Sequence, residues 1–207
     1  MAATWVDELA RDAPDVVGAW RGIDAGRFLT VRREVRRHAG HGSAPRVLAQ
    51  LETTAAALVA IVEALPAGAF SLPGGEGDWT VSEAIGHTAS ARSGLALAAS
   101  LAASGRWPAG TPPVVTGVPG PPDHGRAELV AKIRQSQRLV ARSAKAIAGH
   151  ETDPCPLDHP LVGRLRCGEW LLFAGVHDVM HLEQLHGIAG SLGAAAERQP
   201  RQASRLG

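Results

Sequence analysis

The stretch GEWLLFAGVHDVMHLEQLHGI (residues 168–188) decides how this chain folds. Trp170, Phe173, Ala174, His177, His181, Gln184, Leu185 and Ile188 recur three and four residues apart, the spacing that gathers side chains on one face of an α-helix. His177 and His181 therefore project together from a stripe that is mostly apolar and faces inward. Asp178, Glu183 and His186 fall on other faces. One histidine on such a stripe is ordinarily a satisfied core residue. Two at this spacing are harder to explain so, because a single interior must then find hydrogen-bond partners for both rings. Four residues apart is also the spacing at which two imidazoles of one helix reach one metal ion.

A third imidazole lies about ninety residues earlier, in GDWTVSEAIGHTASARSGLALAAS (77–100). Thr80 and Glu83 read as a capping box that opens a helix at about Thr80, which puts His87 two turns in. From a neighbouring helix His87 could close a three-nitrogen metal site with the His177 and His181 pair. Its own face carries Ala84, Ala91, Gly94 and Ala98, all small. Such a face either leaves a cavity beside the imidazole or allows two helices to approach closely. Glu83 lies one turn before His87 and is a candidate acceptor for its second nitrogen, although capping already accounts for it.

Two further helices complete a set of four. SAPRVLAQLETTAAALVAIVEALPAG (43–68) offers Ser43 as N-cap and apolar positions at Leu48, Leu51, Ala55, Leu58, Val62 and Leu65, ending at Pro66. The second helix is expected to end near Ser104, since RWPAGTPPVVTGVPGPPDHG (106–125) cannot continue it. So long a connection is uncommon in a compact domain unless it crosses over the bundle or covers a site, and it is expected to form one wall of a pocket mouth. The third helix, about Arg126 to Gly149, turns Leu129, Ile133, Val140, Ala144 and Ile147 inward. Its Arg134, Arg138 and Arg142 suit either an anionic substrate or a solvated face. HETDPCPLDHPLVGRLRCGEW (150–170) reads as an irregular loop. Cys155, His159 and Cys167 within it match no zinc module by spacing, so buried, inert thiols are expected.

Three features together resemble the DinB/YfiT-like superfamily of four-helix bundles: DWTVSEAIGHTA (78–89), HPLVGRLRCGEWLLF (159–173) and GVHDVMHLEQLHGI (175–188). The resemblance covers residues 45 to 190, and the second half of that span matches more closely. It implies an all-α four-helix bundle with a long crossover between the second and third helices. It also implies a divalent metal held by one histidine of the second helix and two of the fourth, which fall here on His87, His177 and His181. Superfamily members with a known activity are mostly transferases and isomerases that depend on a low-molecular-weight thiol such as mycothiol or bacillithiol. The chain is therefore expected to be a metal-dependent, thiol-dependent S-transferase or isomerase acting on an electrophilic small molecule. The alternatives are a non-catalytic bundle serving as a stress-associated binding or assembly module, and a metal-dependent hydrolase. Zinc is the first expectation, with nickel, iron or manganese next, because three neutral imidazoles discriminate weakly among divalent metals. The resemblance further suggests a homodimer, though no apolar stripe marks a surface for it.

Composition fits this expectation. The 207 residues are 45% apolar, enough for one domain with a substantial core. With 21 basic and 20 acidic side chains the formal charge is +1, so there is no electrostatic footprint for nucleic acid. No uninterrupted apolar run reaches the roughly 20 residues that span a bilayer, and the N-terminus lacks the pattern of a secretory signal. Two cysteines imply no disulfide framework. A cytoplasmic protein follows as the expectation, and abundant Ala, Gly and Arg with no Tyr suggest a GC-rich bacterial genome. Three parts are expected: an N-terminal extension of short helices or partly disordered chain (1–44), the bundle (45–192) and a flexible tail (193–207). In the extension, TWVDELARDAP (4–14) reads as a helix capped by Thr4. RFLTVRREVRRHAG (27–40) reads as a basic amphipathic stretch with Phe28, Leu29, Val31 and Val35 to one side.

Overall fold

The computed structural model describes residues 4–23, 29–75, 77–110, 114–115, 117–160 and 162–203, with side chains at all of these except 29 and 195–203. Phe28 and residues 204–207 of the expected tail lie outside the described residues, as does the Leu29 side chain. Among the described residues the chain forms seven α-helices and no extended strand: α1 (Trp5–Asp12), α2 (Pro14–Arg21), α3 (Leu29–His38), α4 (Ala44–Ala64), α5 (Val81–Ala103), α6 (Arg126–Ile147) and α7 (Cys167–Ala203). The four long helices pack so that α4 and α5 each lie against both α6 and α7. Their inward residues are those that the three-and-four spacing selects: Leu51, Leu58 and Val62 from α4, and Leu129, Ile133 and Val140 from α6, are all buried.

Helix α4 is by length and composition apolar enough to cross a membrane. Its continuous helical span includes Gln50 and Thr54, both buried and hydrogen-bonded within the bundle, and it serves as a core helix of this fold. Ser43 sits at its N-cap but makes no capping bond, and its hydroxyl is buried without a partner. The first N–H is instead taken by a distant carboxylate: Ala44 donates to Glu151 at 3.2 Å, and Gly149 donates to the same side chain at 3.1 Å. Burial alone would raise the pKa of Glu151, but these backbone donors hold it below the usual carboxylate range. Helix α5 opens with the predicted capping box, in which Glu83 accepts from the Thr80 N–H at 2.8 Å. Helix α7 is closed at its start by Glu169, which accepts from the Arg166 N–H at 2.8 Å. It continues to Ala203, through part of the segment that the sequence set apart as a tail.

The N-terminal extension is folded onto the bundle. Thr4 caps α1, and Val16, Val17, Ala19, Val31 and Val35 are buried in the common core. Gly175 on α7 makes this packing close, since a Cβ there would meet Val16 at 2.8 Å and Leu51 at 2.9 Å. Gln50 reaches out of α4 to accept from the Asp15 and Val16 N–H groups at 2.9 and 3.0 Å, capping α2. Three of the four arginines of α3 form ion pairs within the molecule. Arg36 pairs with Glu169 at 2.8 Å, while Arg33 and Arg37 flank Glu34 at 2.7 and 3.0 Å.

One buried network ties the four long helices together. Arg92 of α5 donates through Nε to Asp178 of α7 at 2.9 Å, and both side chains are fully buried. Thr54 of α4 donates to the same carboxylate at 2.7 Å. The remaining guanidinium N–H groups reach the Leu51 carbonyl at 2.9 Å, Ser136 at 3.1 Å and Gln137 at 2.9 Å. Burial raises the pKa of Asp178 despite the pull of Arg92 and Thr54. The sequence reading correctly places Asp178 off the histidine stripe. That second face is interior too, because α7 has neighbours on several sides.

Candidate metal centre

His87 reaches the centre from α5, and His177 and His181 reach it from α7, one turn apart. The Nε2 atoms of His87 and His181 each lie 3.3 Å from Nε2 of His177, and one ligand atom from each ring lies within 4.8 Å of the other two. His87 and His181 are buried, and His177 is half-buried with its Nδ1 out of reach of solvent. All three candidate residues named from the sequence are thus brought together.

The outer nitrogens of two rings are fixed by acceptors. Nδ1 of His87 donates to the carbonyl of Val118 at 2.9 Å. Nδ1 of His181 lies 2.7 Å from Oε1 of Gln184, whose amide nitrogen donates in turn to the carbonyl of Gly74, so Gln184 is oriented to accept. With their protons on Nδ1, both rings point bare Nε2 lone pairs inward. Nδ1 of His177 is buried without a hydrogen-bond partner. Burial, followed by the neighbouring His181, His87 and His159, depresses the pKa of His177 well below the imidazole range, so its ring is neutral. Nε2 of His87 and Nε2 of His181 both face Nε2 of His177 at 3.3 Å, and a single proton on His177 cannot satisfy both facing lone pairs. A divalent cation bound by nitrogen fits this donor set.

Glu83 does not serve as the acceptor for His87. Its carboxylate is occupied by Thr80, and the crossover between α5 and α6 supplies the Val118 carbonyl in its place. The crossover lies close on α5 because two glycines face each other there: a Cβ on Gly86 would come within 2.9 Å of the Gly120 Cα. The Gly120 N–H donates to the Glu83 carbonyl at 2.9 Å, and Ser82 Oγ lies 2.9 Å from the Pro121 carbonyl.

The centre opens into a cavity of about 810 Å³, with Val115 and Val118 of the crossover in its wall as the sequence predicts. The small face of α5 therefore borders a cavity rather than a neighbouring helix: Ser90, Ala91, Gly94 and Ala98 line it. His159 lines it as well, from the loop between α6 and α7, with its ring 5.8 Å from that of Phe173. Burial lowers the His159 pKa and favours the neutral ring. The two cysteines are buried together as free thiols, as the sequence leads one to expect, and His159 belongs to the cavity. Arg134, Arg138 and Arg142 are exposed on α6 and do not line the cavity, which favours the solvated face.

A family model described as the DinB superfamily matches residues 8–185. The match begins within α1, so it takes in the N-terminal helices, which the sequence resemblance left out. No curated protein matches, and no solved structure matches.

Proposed function

Because this chain belongs to the DinB superfamily, we propose that it is a divalent-metal-dependent enzyme in which His87, His177 and His181 hold the metal and a low-molecular-weight thiol is the co-substrate. The observation that carries this reading is the convergence of the three Nε2 atoms within 4.8 Å of one another at the edge of a cavity. A divalent metal held by the three imidazole nitrogens would supply Lewis acidity and lower the pKa of a bound thiol.

The protein's own residues have three tasks in this scheme. Val118 and Gln184 hold the His87 and His181 rings in the tautomer that presents Nε2. The cavity admits the second substrate and limits access of water. No serine or cysteine side chain is needed as nucleophile, since the thiol itself provides one. The reaction class is transfer of the thiol sulfur to an electrophilic carbon, or isomerisation through such an adduct.

Metal content by elemental mass spectrometry, on protein purified without an affinity tag, tests the proposal beside His181→Ala. About one equivalent in the wild type and little in the variant supports the centre. No metal in either protein, after reconstitution with zinc, nickel and manganese, would move the assignment to a non-catalytic binding module.

A further inference from the structure

The cavity is far larger than a metal and a bound thiol group require. At about 810 Å³ it is the size of a pocket for a whole small molecule. None of its described lining residues is an aspartate, glutamate, lysine or arginine. Its polar side chains are the metal-centre histidines, His159, Ser90 and Gln184, and Gln184 is committed to His181 and Gly74. Its apolar lining includes Ile23, Val31, Leu95, Leu157, Val162 and Phe173. Away from the three histidines, a charged group carried into this space would lose its hydration and meet no opposite charge among the described lining residues. An apolar group would instead be released from water along most of its length.

We infer that the cavity takes an uncharged, predominantly apolar small molecule, bound end-on with its reactive head at the three Nε2 atoms and its tail along the wall formed by Ser90, Gly94 and Ala98. This names the substrate class of the centre proposed above and rests on that reading for the orientation of the head. The tail contacts rest on the cavity alone. The polar face of the reaction, a sugar- or peptide-like thiol included, is then confined to the cavity mouth.

Gly94 provides the test. It lies exposed at the edge of the cavity lining, and a Cβ built on it meets nothing within 4 Å, so the Gly94→Leu side chain starts from open space. Leucine also has the higher helix propensity, so the fold is retained. The first measurement uses metal-free protein and the uncharged fluorophore N-phenylnaphthylamine. Saturable binding with a blue-shifted emission, weakened about tenfold or more by Gly94→Leu, is expected. Absence of saturable binding, or binding that Gly94→Leu leaves unchanged, overturns the inference whatever the metal does.

The second measurement titrates cobalt(II)-loaded protein with linear alkanethiols, read by thiolate-to-cobalt absorption. Affinity should rise roughly fourfold per methylene, and mercaptopropionate should bind more weakly than propanethiol. A series flat in chain length, or tighter binding of the carboxylate, overturns the inference while leaving the metal centre standing. If cobalt does not bind, the centre fails, and the fluorophore result alone decides the character of the cavity.

Discussion

Arg92 and Asp178 form a fully buried ion pair, at 2.9 Å, between the helix that carries His87 and the helix that carries His177 and His181. The pair shares its hydrogen bonds with α4 and α6, so all four long helices meet at one polar point. Removing one partner strands a charge in a dry interior. Arg92→Met or Asp178→Leu alone should cost about 3–5 kcal/mol, whereas the double variant should recover much of that loss. Denaturant unfolding of the three variants measures this. A double variant whose loss equals the sum of the two single losses would show that the charges contribute independently.

Gln184 is expected to matter to metal affinity without touching the metal. Replacing it with leucine removes the acceptor that keeps the proton of His181 on Nδ1. Affinity should fall roughly 10–100-fold, and Gln184→Glu, which restores an acceptor, should recover part of it. Competition against a chromophoric chelator gives both numbers. Unchanged affinity in Gln184→Leu would leave the orientation of His181 to other contacts.

The paired glycines of α5 and the crossover make a structural prediction. Gly86→Ala sets a methyl group 2.9 Å from the Gly120 Cα and forces the crossover outward, at a cost of about 1–3 kcal/mol. The Val118 carbonyl moves with it, so metal affinity should fall although no ligand is changed. Thermal unfolding and chelator competition on the same sample test the two effects together. A stable Gly86→Ala protein with full affinity would contradict the account.

Glu151 should make stability depend on pH in acid. Its carboxyl pKa is held below the ordinary glutamate range in the folded state, so its contribution is fully present above the ordinary value and is lost as pH falls through the depressed one. Glu151→Gln removes the charge that receives the Ala44 and Gly149 N–H groups and should cost about 1.5–3 kcal/mol at neutral pH. The difference between wild type and variant should shrink towards zero between about pH 5 and about pH 3. Urea midpoints across that interval check the sign. A difference that grows in acid would refute it.

How far the sequence discloses this site depends on what kind of group does the work. His87, His177 and His181 are legible because side-chain identity and helical spacing are both written in the chain. The acceptor for His87 is not, since Val118 acts through its backbone carbonyl, which any residue carries. Glu83 draws attention by being one turn from His87, but its local competitor, the Thr80 backbone, wins by proximity. Arg92 and Asp178 leave a fainter mark. Apart from Glu83 in its first turn, Arg92 is the one charged residue of α5, and Asp178 stands alone between Glu169 and Glu183. Lone charges in apolar helices point to each other once the helices are known to be neighbours. The extension is least legible because α1, α2 and α3 are 8, 8 and 10 residues long, too short for periodicity to specify a partner.

The three imidazoles hang from two long helices joined through buried charges, while part of the cavity lining comes from elsewhere: Ile23 and Val31 from the extension, Val115 from the crossover and Leu157 from the loop before α7. Several stretches of chain outside α5 and α7 thus contribute to the shape of the cavity. Substitutions in them can redraw that shape while leaving His87, His177 and His181 unchanged. The same scaffold could in this way be retuned from one apolar substrate to another by changes that never touch a metal-binding nitrogen.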